Sequence, residues 1–253
     1  TSEGRPGPQL SQANGLLPDQ PSRVLAPPAP KVVAAALESW NAARKRSNVL
    51  AVYDVSGSMK EEVPGTGGRT KMDIVKEAAG QALALFAPET NLGTWVFSTN
   101  LVGNRDWAES VPIGPTNARL PDGKIRRQVL AEALARLQAT NGDTGLYDTT
   151  LAAFRAVQRS YAPQRINIVV LLTDGINDDP SGGIDRAELL RRLKAEQDKD
   201  RPVRIITIAY GANADAASLK MIADATGGLA FVSRDPRDIL HVFTDAITKL
   251  PAD

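Results

Sequence analysis

The sequence contains no cysteine and only one histidine, His241, among its 253 residues. Without cysteine, the chain can form neither disulfide bonds nor catalytic or zinc sites that depend on thiolates. A single histidine excludes most histidine-based metal sites and disfavours a catalytic triad that needs an imidazole base. These two scarcities remove most soft and imidazole ligands from consideration.

An excess of one charge and a long apolar segment are also missing. Lysine and arginine number 30 and aspartate and glutamate 29, so the net charge is +1. A chain this close to neutrality lacks the electrostatic footprint of a general nucleic-acid-binding protein. No apolar run approaches 18 residues, so the sequence predicts no segment that spans a bilayer. The hydrophobic content of 42% and charged content of 23% are typical of a globular protein.

Proline is concentrated at the start of the chain, where residues 1–30 hold seven of the 17 prolines. Because proline lacks a backbone donor and fixes φ, we expect an extended lead-in or linker there. Residues 31–47 have the pattern of an N-terminal helix that packs on the following domain, which we expect to occupy 48–253. The chain begins with Thr1 rather than methionine, so we expect a processed protein or a piece of a longer one.

Short apolar runs alternate with helical patterns along the rest of the chain. The predicted strands cover 49–53, 92–97, 107–113, 166–172, 203–209 and 229–232. The predicted helices cover 72–86, 125–137, 151–157, 185–197, 216–225 and 240–250. Strands that alternate with helices of this length indicate an α/β fold with a mostly parallel sheet. Ligands of such sheets bind at the carboxyl ends of the strands.

Two of the apolar strands end in an aspartate, and the first is followed by two hydroxyl side chains. Asp54, Ser56 and Ser58 come directly after the strand 49–53, and Asp174 follows the strand 166–172. This is a set of hard oxygen donors, which suits Mg²⁺, Mn²⁺ or Ca²⁺. Taken alone, Asp-x-Ser-x-Ser is also compatible with a helix N-cap and turn, since these residues favour caps.

The wider pattern resembles the metal-ion-dependent adhesion site of the von Willebrand factor type A domain family. That site combines Asp-x-Ser-x-Ser after the first strand, a threonine at the start of a middle helix and an aspartate after the fourth strand. Asp54, Ser56, Ser58, Thr144 and Asp174 match these five positions in order. The resemblance covers about residues 45–250.

The resemblance implies a doubly wound α/β domain with one antiparallel edge strand and helices on both faces. It further implies a divalent ion, Mg²⁺ or alternatively Mn²⁺ or Ca²⁺, held by Ser56, Ser58 and often Thr144, with Asp54 and Asp174 acting directly or through water. One position of the ion stays open for an Asp or Glu carboxylate of a protein partner. The three hydroxyls are neutral ligands, so the ion keeps enough positive character to attract that anion.

The resemblance leaves the cellular setting open. Many similar bacterial proteins carry such a domain after a solute-binding-like domain, and the proline-rich stretch 25–30 resembles that junction. We therefore expect an extracellular or cell-surface module of a bacterium. The alternative is a cytoplasmic subunit that works with an AAA+ ATPase of the chelatase or chaperone type.

We expect the protein not to be an enzyme. A phosphoryl-accepting Asp54 usually needs a second acid two residues later, where this chain has Ser56, and a nucleophilic serine would need a base.

Several polar residues near these motifs carry weaker predictions. The segment 65–71 has glycines and a lysine but not the order of a phosphate-binding loop, so we interpret it as a flexible connector. Asp178 and Asp179 could add charge around the ion or bind a second cation, although a solvated acidic loop explains them as well. Asp143 is interpreted as a helix cap, and Asp148 is ambiguous in the same way.

Overall fold

A computed structural model describes residues 46–211, 213–235 and 238–248. The proline-rich lead-in predicted for 1–30 lies outside these residues, and so does nearly all of the helix predicted for 31–47. Of that helix only Arg46 and Ser47 are described, and Ser47 already belongs to the first strand.

Six strands and six α-helices form the described part of the chain. The strands are β1 (Ser47–Asp54), β2 (Asn91–Val102), β3 (Arg105–Pro115), β4 (Ile166–Thr173), β5 (Val203–Tyr210) and β6 (Ala230–Ser233). The helices are α1 (Lys71–Leu85), α2 (Arg126–Ala135), α3 (Leu146–Arg159), α4 (Arg186–Glu196), α5 (Ala216–Asp224) and α6 (Ile239–Thr248). A short 3₁₀ helix, Gly57–Lys60, follows β1. Within the described residues, no helix is both long and apolar enough to cross a membrane.

The strands form one sheet in the order β3-β2-β1-β4-β5-β6. All neighbours are parallel except β2 and β3, so the predicted antiparallel edge strand is β3. β2 extends to Val102, beyond the predicted end at residue 97, and continues into a hairpin with β3. The predicted strand ends earlier because its apolar run stops at Phe97 and exposed polar side chains such as Asn100 follow.

Apolar side chains on both faces of the sheet are covered by helices. Val49 and Ala51 of β1 pack in a cluster with α1, α2 and α6, whereas Leu50 and Val52 pack on the opposite face with α3, α4 and α5. This alternation follows from the two-residue period of a strand. It confirms the doubly wound α/β fold with helices on both faces.

The topology places the candidate ligands at one edge of the sheet. β1 and β4 are parallel neighbours, with Tyr53 paired to Leu172, so Asp54 and Thr173 end side by side. The chain leaves β1 for one side of the sheet through β2 and returns to β4 on the other side. This is the switch point at which open α/β sheets bind ligands.

Candidate metal centre

Asp54 is a fully buried carboxylate that ties the loop after β1 to the end of β4. Its Oδ1 accepts a hydrogen bond from the backbone N–H of Ser56 at 2.8 Å. Its Oδ2 accepts one from the Thr173 hydroxyl at 2.5 Å. Both oxygens thus accept hydrogen bonds from the protein, and Asp54 fixes the start of the loop that carries Ser56 and Ser58, here called the serine loop.

Ser56, Ser58 and Asp174 present a continuous row of oxygen atoms. Ser56 Oγ lies 3.1 Å from Ser58 Oγ, and the Ser58 hydroxyl donates to Asp174 Oδ1 at 2.8 Å. Neighbouring ligands of an octahedral Mg²⁺ at its usual bond length lie about 2.9 Å apart. The donor set, all hard oxygens at this spacing, therefore fits a small divalent cation.

Thr144 approaches the same place from the start of α3. It is buried, and its backbone N–H and C=O pair with the backbone of Asp178, which follows β4. A β-carbon at Gly175 would lie 3.4 Å from Thr144 Oγ1, at van der Waals contact, so the backbone after Asp174 passes directly beside this hydroxyl. The loop before α3 is also joined to the serine loop, because Gly57 N–H donates to the Gly142 carbonyl at 2.9 Å.

The cap of α3 differs from the prediction. Asp143 was expected to cap this helix, but the helix begins at Leu146 and its N-cap position is Gly145. The side chain of Asn177 caps it instead, since Asn177 Oδ1 accepts from the backbone N–H groups of both Leu146 and Tyr147 at 3.0 Å. The cap comes from the loop after β4, 30 residues away along the chain, and so links Thr144 to Asp174.

Four of the five predicted ligands line one open cleft, and the fifth, Asp54, lies buried beneath them. The residues that line the cleft are Ser56, Gly57, Ser58, Lys71, Asn141, Gly142, Asp143, Thr144, Asp174, Gly175, Ile176, Asp178 and Asn213. The structure therefore brings together all five residues selected from the sequence.

Lys71 also lines this cleft, although the sequence of 65–71 predicted a flexible connector. Lys71 is the first residue of α1, and its ammonium group contacts both Asp174 Oδ2 and Glu61 Oε2 at 2.6 Å. A cation in the first turn of a helix opposes the helix dipole. That unfavourable placement is the one signal in the sequence that could have indicated a role for Lys71 outside the helix.

Asp54 holds its proton more tightly than an ordinary carboxyl group does. Burial raises the pKa of Asp54 to about 6, and the nearby Asp174 carboxylate adds to this rise, while hydrogen bonds from Ser56 and Thr173 oppose it. Burial disfavours the charged form of Lys71, but its hydrogen bonds to Asp174 and Glu61 outweigh burial and raise its pKa. A divalent cation in the cleft would favour the charged form of Asp54.

A second acidic group lies near this cleft but does not include the predicted ligands. Asp106, Asp148 and Asp179 place carboxylate oxygens within 4.8 Å of one another. Asp148 accepts from the Ile184 N–H at 3.0 Å, so it also holds the loop before α4. The adjacent residues Asp178 and Asp179 therefore lie in different places: Asp178 lines the cleft, whereas Asp179 belongs to this acidic group.

Comparisons with known proteins agree with this architecture. The family profile described as "von Willebrand factor type A domain" matches residues 48–245. Uncharacterised proteins of two Mycobacterium tuberculosis strains, CDC 1551 / Oshkosh and ATCC 25618 / H37Rv, are each 23% identical over 205 residues, which is 80% of this chain and 29% of theirs. The chain therefore spans less than a third of the length of the curated relatives it matches.

Solved structures share the fold at low sequence identity. A von Willebrand factor type A protein from Catenulispora acidiphila is 24% identical with a TM-score of 0.60, over 79% of this chain and 42% of that one. Proximal thread matrix protein 1 from the mussel byssus, solved with a zinc-occupied MIDAS motif, is 16% identical with a TM-score of 0.56, over 80% of this chain and 48% of its own. Because the profile matches most of the chain, the chain belongs to the von Willebrand factor type A domain family.

Proposed function

We propose that this domain is a divalent-metal-dependent protein-binding module. Its ion, Mg²⁺ or alternatively Mn²⁺ or Ca²⁺, would be held by Ser56, Ser58, Thr144, Asp54 and Asp174. The observation that carries the proposal is the row of Ser56 Oγ, Ser58 Oγ and Asp174 Oδ1, spaced 3.1 and 2.8 Å apart along an open cleft. The partner is a protein that offers an Asp or Glu carboxylate to the open side of the ion.

The residues around the centre explain why an anion would be attracted there. When bound, the ion supplies a Lewis acid at the surface of the cleft. Asp54 positions the serine loop and, with Asp174, balances the ion, while the hydroxyls of Ser56, Ser58 and Thr144 add no charge. An ion ringed by carboxylates would instead repel an incoming carboxylate. The exposed side chain of Ile176 at the rim offers the partner an apolar contact.

We also propose that the protein is not an enzyme. The Ser56 hydroxyl contacts the Ser58 hydroxyl rather than a base, and Lys71 is paired with two carboxylates, so neither is arranged as an activated nucleophile. His241 lines a different cleft from the serines. For location we propose the outer surface of a bacterium, with the domain as one part of a longer chain.

Metal binding is tested directly by calorimetry with Mg²⁺ and Mn²⁺ on the EDTA-treated protein. We expect saturable binding, and at an ion concentration 100-fold above Kd the ion should stabilise the fold by about 2.7 kcal/mol. In EDTA the protein should still melt in one cooperative transition, because both faces of the sheet carry a large apolar core that needs no ion. If neither a heat of binding nor a shift in the melting temperature is seen, the metal centre is refuted. A chain that is unfolded in EDTA would contradict the expectation that the fold does not need the ion.

Partner binding is tested by capture from surface extracts of the source bacterium on the immobilised domain. We expect a protein to bind in Mn²⁺, to elute with EDTA and to be displaced by a large excess of acetate, since a free carboxylate competes for the open position. A Ser58→Ala domain, which lacks one proposed ligand, serves as the control column. A partner that binds equally in EDTA, or equally to the control, would show that recognition does not use the ion. Capture only from cytoplasmic extract with an ATPase would favour the alternative cellular role.

A further inference from the structure

Lys71 is a buried cation at the edge of the proposed metal centre. Its side chain is only 9% exposed and Asp174 is fully buried, whereas Glu61, the second partner of Lys71, is 55% exposed. A buried ammonium group is costly unless it is paired and hydrogen-bonded. The contact between Lys71 and Asp174 is therefore a buried, hydrogen-bonded ion pair within the centre and not an ordinary surface ion pair.

The fold fixes Lys71 in this position. Thr70 and Asp73 form a capping box at the start of α1, in which the backbone N–H of each residue donates a hydrogen bond to the side-chain oxygen of the other. The backbone N–H of Lys71 donates to the carbonyl of Glu61 at 2.9 Å. The first turn of α1 is thus held against the loop after the serines, and the lysine side chain enters the cleft from there.

The two oxygens of the Asp174 carboxylate have different hydrogen-bond partners. Oδ1 accepts from Ser58 and faces the row of proposed ligands, whereas Oδ2 is bound by Lys71. With Lys71 present, the charges of Asp54, Asp174 and Lys71 leave one net negative charge, so a divalent ion gives a centre with one net positive charge. Without Lys71, the same ion would be neutralised.

We propose that Lys71 sets the ligand preference of the centre, lowering its affinity for the metal and raising the affinity of the loaded centre for a carboxylate. This inference rests on the proposed function, because it concerns the same ion and the same class of partner. A positive charge beside the ion repels the ion and attracts an anion bound to it, and both effects are strong where the groups are shielded from water. Lys71 is thus a specificity-determining residue and not a ligand of the ion.

The test compares Lys71→Met, which removes the charge at similar length, with Lys71→Arg, which keeps it. Mn²⁺ affinity is measured by calorimetry, and acetate binding to the Mn²⁺-loaded protein is measured by the loss of water-proton relaxation enhancement. We expect Lys71→Met to bind Mn²⁺ about tenfold more tightly and acetate about tenfold more weakly, and Lys71→Arg to stay within about threefold of the wild type on both. Glu61→Gln is the matched control, since it removes the exposed partner of Lys71 and should change neither affinity more than about threefold.

The outcomes separate this inference from the proposed function. If the wild type binds no Mn²⁺, the metal centre itself is refuted. If the wild type binds Mn²⁺ but Lys71→Met binds it more weakly, Lys71 only orients Asp174, and if neither affinity changes, Lys71 is purely structural; both results overturn the inference. Should Lys71→Met not fold, Lys71→Gln, which keeps a donor to Asp174 without the charge, must show the same two shifts.

Discussion

Replacing Asp54 with asparagine is expected to weaken the affinity for Mg²⁺ or Mn²⁺ by about 100-fold, the upper end of the effect of losing a residue that orients metal ligands. Asp54 supplies one of the two buried negative charges of the centre and holds the Ser56 N–H. Asparagine has nearly the same shape but no charge. The ion would then face a single carboxylate, that of Asp174, and one of its oxygens, Oδ2, already accepts a hydrogen bond from Lys71.

The fold should survive this substitution. The asparagine oxygen can still accept from the Ser56 N–H, and its amide group can donate to the Thr173 hydroxyl. That hydroxyl already accepts from the Gly175 N–H at 3.2 Å, so it can reverse its role toward residue 54. Because a buried charge is removed, the metal-free variant should be at least as stable at neutral pH as the metal-free wild type.

Calorimetry on Asp54→Asn, with Asp143→Asn as the control, distinguishes a specific role from a general loss of charge. Asp143 lines the same cleft but is exposed, and its side chain lies outside the proposed ligand set. We expect the control to bind the ion within about threefold of the wild type, because exposed charges are screened by water. Unchanged affinity in Asp54→Asn, or equal losses in both variants, would rule out the assigned role of Asp54.

The metal-free wild type is expected to lose stability relative to Asp54→Asn as the pH rises from about 4 to about 6. The pKa of Asp54 rises from 3.8 to about 6 on folding, mainly through burial. The folded state therefore holds the Asp54 proton more tightly than the unfolded state does. The stability that this proton contributes is fully present below the pKa of the unfolded state and is lost as the pH rises through the pKa of the folded state. A shift of this size corresponds to about 3 kcal/mol of unfolding free energy.

Urea denaturation of both proteins in EDTA, between pH 4 and pH 7.5, measures this difference. Other carboxylates act in the opposite direction; hydrogen bonds from Arg191 and Arg192, for example, lower the pKa of Glu188 to about 2. These groups are common to both proteins, so the difference in unfolding free energy isolates Asp54. Parallel pH profiles for wild type and variant would show that Asp54 does not titrate as the structure implies.

The sequence by itself determined the fold class through local patterns, and it indicated the proposed ligands through the resemblance to the metal site of the family. The short apolar run that ends at Asp54 indicates a strand buried on both faces, and so does the run that precedes Asp174. Parallel neighbours end at the same edge of a sheet, so two aspartates at strand ends already indicated one site. Ser56 and Ser58 follow Asp54 at the spacing of the family's motif, so the resemblance could be recognised without a structure.

Only the tertiary structure decided which other residues complete the site. Lys71 meets Asp174 across 103 positions of sequence, and Thr173 meets Asp54 across 119, through side chains whose approach depends on helix placement and strand register. The cap on α3 comes from Asn177 and not from Asp143, because the loop after β4 folds over the start of the helix. Local pattern carries no information on such contacts, since each results from the packing of elements that are distant in sequence.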